Sequence, residues 1–130
     1  MKYLIDTDWL IDHLSGVEKV KSKLEELAPE GLVISIVSLA EIYEGIFYSR
    51  EPQRSESALE AFLPGVPVLN INEEICKIFG KERGRLRQQG QIIGDLDLFI
   101  ASTCLYHNLT LLTNNVSHFE RIETLNIIAI

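Results

Sequence analysis

The chain has 130 residues, 46% of them hydrophobic and 24% charged, which predicts a single domain over residues 1–130 that can bury a hydrophobic core. Asp and Glu outnumber Lys and Arg by 19 to 12, so the net charge of −7 excludes nucleic-acid binding by overall positive charge alone. There is neither a signal peptide nor a run of about 18 apolar residues, so we expect a cytoplasmic protein without membrane association. Cys76 and Cys104 lie in apolar-periodic segments, and we predict that both are reduced core residues.

Short segments rich in β-branched residues alternate along the chain with longer segments of helical periodicity. The predicted strands are Lys2–Ile5, Leu32–Ile36, Val66–Leu69, Leu109–Thr113 and Asn126–Ile130. The predicted helices are Asp8–Leu14, Val17–Leu27, Ser38–Tyr48, Ser55–Phe62, Glu73–Gln89 and Leu96–His107. The polar stretch Ser49–Ser57, which contains Pro52, is predicted to be a loop at the tip of a helical hairpin. Because parallel strands need crossover connections, the alternation predicts an α/β fold, a doubly wound parallel sheet with helices on both faces.

Acidic residues stand near the predicted carboxyl ends of the strands, where ligands bind in such sheets. Asp6 follows the first strand, Glu41 lies one turn into the helix after the second, and Asp97 stands at the start of the helix before the fourth. Clustered carboxylates raise one another's pKa, and a divalent cation removes that cost by neutralising their charge. Oxygen ligands suit Mg²⁺ or Mn²⁺, and no His or Cys shows the spacing of a zinc site. We therefore predict a Mg²⁺ (or Mn²⁺) site at Asp6, Glu41 and Asp97.

Further polar residues lie near this predicted site. Thr113–Asn115 follows the fourth strand and adds neutral oxygen donors at the same edge. Asp95 is assigned either to the N-cap of the next helix or to a supporting position beside the metal, and a ligand role for it stays open. Asp8 and Asp12 are interpreted as a helix-start acid and a helix-face acid, and not as ligands.

Four segments of the chain are distinctive: KYLIDTDWL at 2–10, ISIVSLAEIYEG at 34–45, IGDLDLFIAST at 93–103 and LTLLTNNVSHFERI at 109–122. Together they resemble the PIN-domain family, and more closely its VapC-type toxin ribonucleases. These segments span nearly the whole chain in the family's order and spacing. The resemblance implies a three-layer α/β/α PIN-like domain with a central parallel sheet of about five strands. It also implies a metal-dependent endoribonuclease, in which water activated by the metal hydrolyses the phosphodiester bond.

The resemblance also assigns roles to individual residues. The family's acids match Asp6, Glu41 and Asp97, the three residues already chosen as metal ligands. A fourth family acid follows the penultimate strand, where this chain has Asn115 or, as the weaker match, Asn114. This departure lowers the charge of the site and weakens the case for a second metal. Residues predicted to support the carboxylates by hydrogen bonds or proximity are Thr7, Asp95, Thr113 and Asn114.

The partners implied by the resemblance are RNA, a VapB-type antitoxin and a second copy of the chain in a homodimer. Candidate RNA contacts on one helical segment are Lys77, Lys81, Arg83, Arg85 and Arg87. A solvated helix face explains the same five cations equally well. The apolar side chains of the segment 39–48, together with the tip at Ser49–Ser57, form either a partner-binding hairpin or ordinary core.

Two other functions compete with the nuclease. The segment Ile5–Asp8 also resembles the start of haloacid-dehalogenase-type phosphatases, in which Asp6 would be the nucleophile. The chain is short for that fold, however, and the spacing of its later acids does not match. A PIN-like scaffold that binds RNA or protein without cleavage is the second competitor. Retention of three costly acids disfavours that reading.

Overall fold

The computed structural model describes all residues from Met1 to Ile130 and contains a single five-stranded sheet. Its strands run parallel in the order β3-β2-β1-β4-β5. Their bounds are β1 Tyr3–Ile5, β2 Leu32–Ser35, β3 Val68–Leu69, β4 Thr110–Leu112 and β5 Ile127–Ile128. All five predicted strands are present, each shorter than predicted. Parallel order brings their carboxyl ends to one edge of the sheet.

Seven α-helices connect and cover the strands. They are α1 Thr7–Leu14, α2 Glu18–Leu27, α3 Ile36–Phe47, α4 Pro52–Phe62, α5 Glu73–Gln88, α6 Asp95–His107 and α7 Val116–Phe119. The six predicted helices are confirmed, and α7 was not predicted. The predicted loop at Ser49–Ser57 is wrong over much of its length, because Pro52 begins α4. Proline fixes the backbone angle that the first helical residue needs, so there it starts a helix. None of the helices has the length and apolar content needed to cross a lipid bilayer.

The two faces of the sheet bury separate sets of side chains, as the two-residue period of a strand requires. In β1, Tyr3 and Ile5 face the layer formed by α1, α2, α3 and α4, whereas Leu4 faces α5, α6 and α7. Trp9 is fully buried in the first layer and Phe119 in the second. The three-layer α/β/α architecture is therefore confirmed.

One of the two cysteine predictions is wrong. Cys104 is buried inside α6, and burial raises the pKa of its thiol, so the thiol stays protonated. Cys76 is exposed, because its neighbour Ile75 takes the buried position on α5 and successive helical residues point about 100° apart. Both cysteines are free.

Helix α3 divides its apolar residues between core and surface. Ile42 and Ile46 are buried in the first layer, as the core interpretation requires. Phe47 and Tyr48 at its end are 61% and 89% exposed. Only this end of the segment therefore presents large apolar side chains to a partner.

Gly31 fixes the approach of β1 to β2. Its φ is +99°, and a Cβ there would lie 2.7 Å from the backbone nitrogen of Met1. Its carbonyl accepts hydrogen bonds from the N–H groups of Lys2 and Tyr3, both at 3.1 Å. We predict that Gly31→Ala lowers the free energy of unfolding by about 1–3 kcal/mol, since neither the angle nor the space admits a methyl group.

Chemical denaturation measures the effect. The control is Gly80→Ala, because Gly80 lies inside α5 with open space around it. That change should leave stability unchanged or raise it by about 0.5–1 kcal/mol. Equal stabilities of the two variants would contradict the prediction.

Candidate active site

Asp6 lies at the junction of β1 and α1, and its side chain is buried. It is the N-cap of α1, where Oδ1 accepts the N–H of Thr7 at 2.9 Å. Its Oδ2 accepts the hydroxyl of Thr113 at 2.6 Å, across the gap between β1 and β4. Burial raises the pKa of Asp6 to about 7, with smaller contributions from the charges of Asp8 and Asp97, while both hydrogen bonds oppose the rise. The ionised Asp6 carboxylate therefore costs free energy in the folded protein. It lies at the carboxyl edge of the sheet, where ligands bind in parallel sheets.

Thr113 and Asp8 join the ends of β1 and β4. The Thr113 hydroxyl accepts the N–H of Asn115 at 3.0 Å and lies 3.4 Å from Oδ2 of Asp8. That same Asp8 oxygen accepts the N–H of Asn114 at 2.9 Å. Asp8 does sit at a helix start, since Oδ1 accepts the N–H of Trp9 at 2.8 Å. Its second role at the site was missed, because its partner Asn114 lies 106 positions away in the sequence.

Glu41 is connected to α1 through hydroxyl groups. The Thr7 hydroxyl lies 2.7 Å from Oε1 of Glu41 and 2.9 Å from the hydroxyl of Ser38. Thr7 has one hydroxyl proton, so when it donates to Glu41 it accepts from Ser38. Ser38 is fully buried and lies one turn before Glu41 on α3. Thr7 therefore makes the hydrogen bond to Glu41 that was predicted for it. The contact with Ser38 was not predicted.

Asp97 contacts residues that follow β4. It lies in the first turn of α6, and its Oδ2 is 3.3 Å from Nδ1 of His118. The same ring nitrogen is 2.9 Å from Nδ2 of Asn115. In a neutral ring, Nδ1 either accepts from Asn115 or donates to Asp97. His118 was missed, although its position three residues after Asn115, one helical turn on, is a signal that could have found it.

The two asparagines after β4 differ in what they contact. The Asn115 side chain reaches His118, and through it the Asp97 carboxylate. The Asn114 side chain turns away, since its Oδ1 accepts the N–H of Ile130 at 2.9 Å. Asn115 is accordingly the better candidate for the fourth position of the site.

Asp95 is not the N-cap of α6. Gly94 occupies that position, and no side chain caps the helix. The Asp95 carboxylate instead forms an ion pair with Arg83 of α5. Asp95 is the first residue of α6 and follows the N-cap, so its side chain pairs with Arg83 and does not cap the helix.

The five basic residues of α5 are not equivalent. Lys77 pairs with Glu74 at 3.3 Å, and Nε of Arg85 pairs with Glu82 at 2.8 Å. Arg83 is held by Asp95, as described above. The two cations without an ion pair are Lys81 and Arg87.

The oxygen donors at the site fit a hard divalent cation, although the carboxylates are not placed to coordinate one ion together. No group of three or more His, Cys, Asp and Glu side chains is placed to hold one metal ion in this structure. Asp8 and Asp97 nevertheless both raise the pKa of Asp6, so these carboxylates share one electrostatic site. A cation would relieve that repulsion, and oxygen ligands are those that Mg²⁺ and Mn²⁺ prefer. Holding the ion would require the side chains to close on it.

Comparison with known sequences matches nearly the whole chain to one family. The PIN domain family profile matches residues 3–125. The chain is 37% identical to Ribonuclease VapC1 of Haemophilus influenzae strain R2866 over 127 residues, which cover 96% of this chain and 95% of the relative.

Solved structures give the same result. The chain superposes with a TM-score of 0.94 and 31% identity on the structure of VapBC2 from Rickettsia felis bound to a promoter DNA fragment, covering 100% of this chain and 99% of that one. For VapBC-1 from nontypeable Haemophilus influenzae the TM-score is 0.88 and the identity 35%, with coverages of 99% and 98%. By sequence and by fold, the chain belongs to the PIN-domain family and to its VapC group.

Proposed function

We propose that the protein is a divalent-metal-dependent endoribonuclease and the toxin of a VapBC-type toxin-antitoxin pair. The observation that carries this proposal is that three acids are joined to the residues after β4: Asp6 and Asp8 contact Thr113, and Asp97 contacts His118, which contacts Asn115. Glu41 is tied to Thr7, the residue after Asp6. The relatives are ribonucleases, which disfavours both the phosphatase and the non-catalytic scaffold. A toxin that acts on cellular RNA would work in the cytoplasm.

The reaction we propose is hydrolysis of an RNA phosphodiester by water. Asp6, Asp97 and Glu41 would hold Mg²⁺ or Mn²⁺, and the bound cation supplies charge neutralisation and a lowered pKa for water. Thr113 fixes one oxygen of Asp6, and Thr7 holds Glu41. These contacts keep the carboxylates oriented towards the edge of the sheet before substrate arrives.

The proposed partners follow from charge and from the relatives. The chain carries a net charge of −7, so RNA must be bound locally, and the unpaired Lys81 and Arg87 are the best remaining phosphate contacts on α5. The paired Lys77, Arg83 and Arg85 are weaker candidates. The related structures are VapBC complexes, which supports a VapB-type antitoxin as the protein partner. A homodimer remains part of the proposal.

The test is incubation of total cellular RNA with the purified protein, freed of antitoxin, in Mg²⁺ or Mn²⁺. Discrete RNA fragments should form, and EDTA should abolish them. Asp97→Asn should slow cleavage by about 100-fold, because one charged ligand is lost. The variant must show the same circular dichroism spectrum as the wild type. Intact RNA with folded, metal-loaded wild-type protein would refute the proposal.

A further inference from the structure

Among the ion-paired cations of α5, Arg83 has the least exposed side chain, at 17% against 28% for Arg85 and 64% for Lys77. Its guanidinium pairs with Asp95 and lies 5.3 Å from the centre of the Phe79 ring. Phe79 in turn stacks on Phe99 of α6, with ring centres 4.2 Å apart and an interplanar angle of 22°. Arg83 thus joins the aromatic contact between α5 and α6 to the first residue of α6.

This burial carries a cost that a solvated surface cation would avoid. The Nε of Arg83 is buried and has no hydrogen-bond partner. A cation that is buried at this cost has a structural role in addition to its charge. Its position and its ion pair both point towards the start of α6.

The start of α6 lacks the usual means of fixing a helix. Gly94 is the N-cap and offers no side chain to the free N–H groups. The first hydrogen bond of the helix runs from the Leu98 N–H to the Gly94 carbonyl at 3.0 Å. Asp97 projects from this same turn, so whatever holds the turn also places Asp97.

The loop before α6 is held separately. Nη2 of Arg85 donates to the carbonyl of Arg121 at 3.0 Å, and Nη1 of Arg121 donates to the carbonyl of Ile92 at 2.8 Å. These bonds fix the approach to Gly94 but do not reach Asp95 or Asp97. Arg83 is the α5 residue that forms an ion pair with this turn, in addition to the apolar packing between the two helices.

We propose that Arg83 is a positioning residue for the nuclease site: its ion pair with Asp95, seated on the stacked Phe79, fixes the first turn of α6 and with it the Asp97 carboxylate. The catalytic part of this inference rests on the function proposed above. It assigns to Arg83 a role different from that of an RNA contact. The Arg83 guanidinium is shielded from solvent and already paired with a carboxylate, so it would bind an RNA phosphate only weakly.

The test compares Arg83→Met, Asp95→Asn and the double variant with the wild type. If the two residues act through their pair, each single change lowers kcat by about tenfold and the double variant loses no more than either single. KM for RNA stays within about twofold, since no substrate contact is lost. An RNA contact would show the reverse, an increased KM at constant kcat, as we expect for Arg87→Met.

A second measurement does not depend on catalysis. Hydrogen exchange of the Leu98 amide should accelerate about tenfold in both single variants, because the first turn of α6 opens more often. Arg54→Met is the control for loss of an ion-paired arginine. Arg54 pairs with Glu51 at the start of α4 and contacts neither α5 nor α6 through this pair. That variant should leave kcat and Leu98 exchange unchanged. Melting curves establish that every variant is folded at the assay temperature.

The outcomes separate the two proposals. Additive losses in the double variant, a raised KM for Arg83→Met, or unchanged Leu98 exchange would overturn the positioning role. Lack of RNA cleavage by the wild type would overturn the proposed function instead. The exchange rates would then still decide whether Arg83 and Asp95 together fix the turn that carries Asp97.

Discussion

Replacing Asp6 with Asn should reduce RNA cleavage by about 1,000-fold or more and should make the metal-free protein more stable. The loss of activity is expected because Asp6 is the most buried acid of the site, so its charge acts in the least screened environment. The gain in stability follows from the same burial, which raises the pKa of Asp6 to about 7 from 3.8. The ionised side chain therefore costs free energy at neutral pH.

The hydrogen bonds around Asp6 can accommodate the amide. The carbonyl oxygen of the new side chain can still accept the N–H of Thr7. Its NH₂ group can donate to the Thr113 hydroxyl, which then donates to Asp8 at 3.4 Å. No buried donor or acceptor is left alone, so only the charge is removed.

The stability gained by Asp6→Asn should depend on pH. The folded state holds the Asp6 proton up to about pH 7, whereas the unfolded chain loses it near 3.8. Between these values the folded state binds more protons, so stability falls as pH rises. The difference in unfolding free energy between Asp6→Asn and wild type should grow across this range to about 1–3 kcal/mol at pH 7.5.

Urea denaturation in EDTA at several pH values, together with the RNA assay, measures both effects. The difference in unfolding free energy between the two proteins is compared, because the titration of all other groups then cancels. Addition of Mg²⁺ should stabilise the wild type more than the variant, since the cation binds the charged site. A variant that is less stable than the wild type at pH 7.5, or that cleaves RNA within tenfold of it, would contradict the assignment.

A large loss of stability is expected for Phe119→Ala. Phe119 is fully buried in the layer of α5, α6 and α7. It belongs to a helix of only four residues, which has few backbone hydrogen bonds of its own. Truncation of the ring leaves a cavity, and the cost should be about 3–5 kcal/mol, a large part of the stability of a domain this size.

Phe119 also follows His118 directly, so the truncation should loosen the contact of His118 with Asp97. We therefore expect less activity even at temperatures where the variant is folded. Phe47→Ala is the matched control, since Phe47 is exposed and stacks only on Tyr43, with ring centres 5.8 Å apart. It should change stability by less than about 1 kcal/mol. Similar denaturation midpoints for the two variants would refute this prediction.

The sheet and its order of elements could be predicted because each strand is a short apolar run bounded by turn residues. Strand lengths could not, because the apolar pattern continues past the strand end. Ile36 shows why: it was assigned to β2, yet it begins α3, since the Ser35 hydroxyl caps the helix by accepting the N–H of Val37 at 3.0 Å. A serine hydroxyl ends a strand that hydrophobicity alone would extend.

The site could be predicted only in part, for a similar reason. Asp6 follows β1 and Asp97 lies in the first turn of α6, whereas Glu41 lies on the second turn of α3. Local pattern and topology were enough to propose all three. Asp8 and His118 gain their roles from contacts with residues far away in the sequence. Such contacts depend on how β1, β4 and α6 sit side by side, which local patterns do not reveal.

The Asp6–Thr113 hydrogen bond spans 107 positions of the chain, and β1 lies between β2 and β4 in the sheet. On a ribosome, β1 is made long before β4 can pair with it, so the strand waits with one edge open. The site therefore cannot form until nearly all of this chain has been synthesised. A growing polypeptide of this protein would be unable to attack the messenger that encodes it, and such non-local pairing also favours slow folding. Toxicity would begin only with the finished fold.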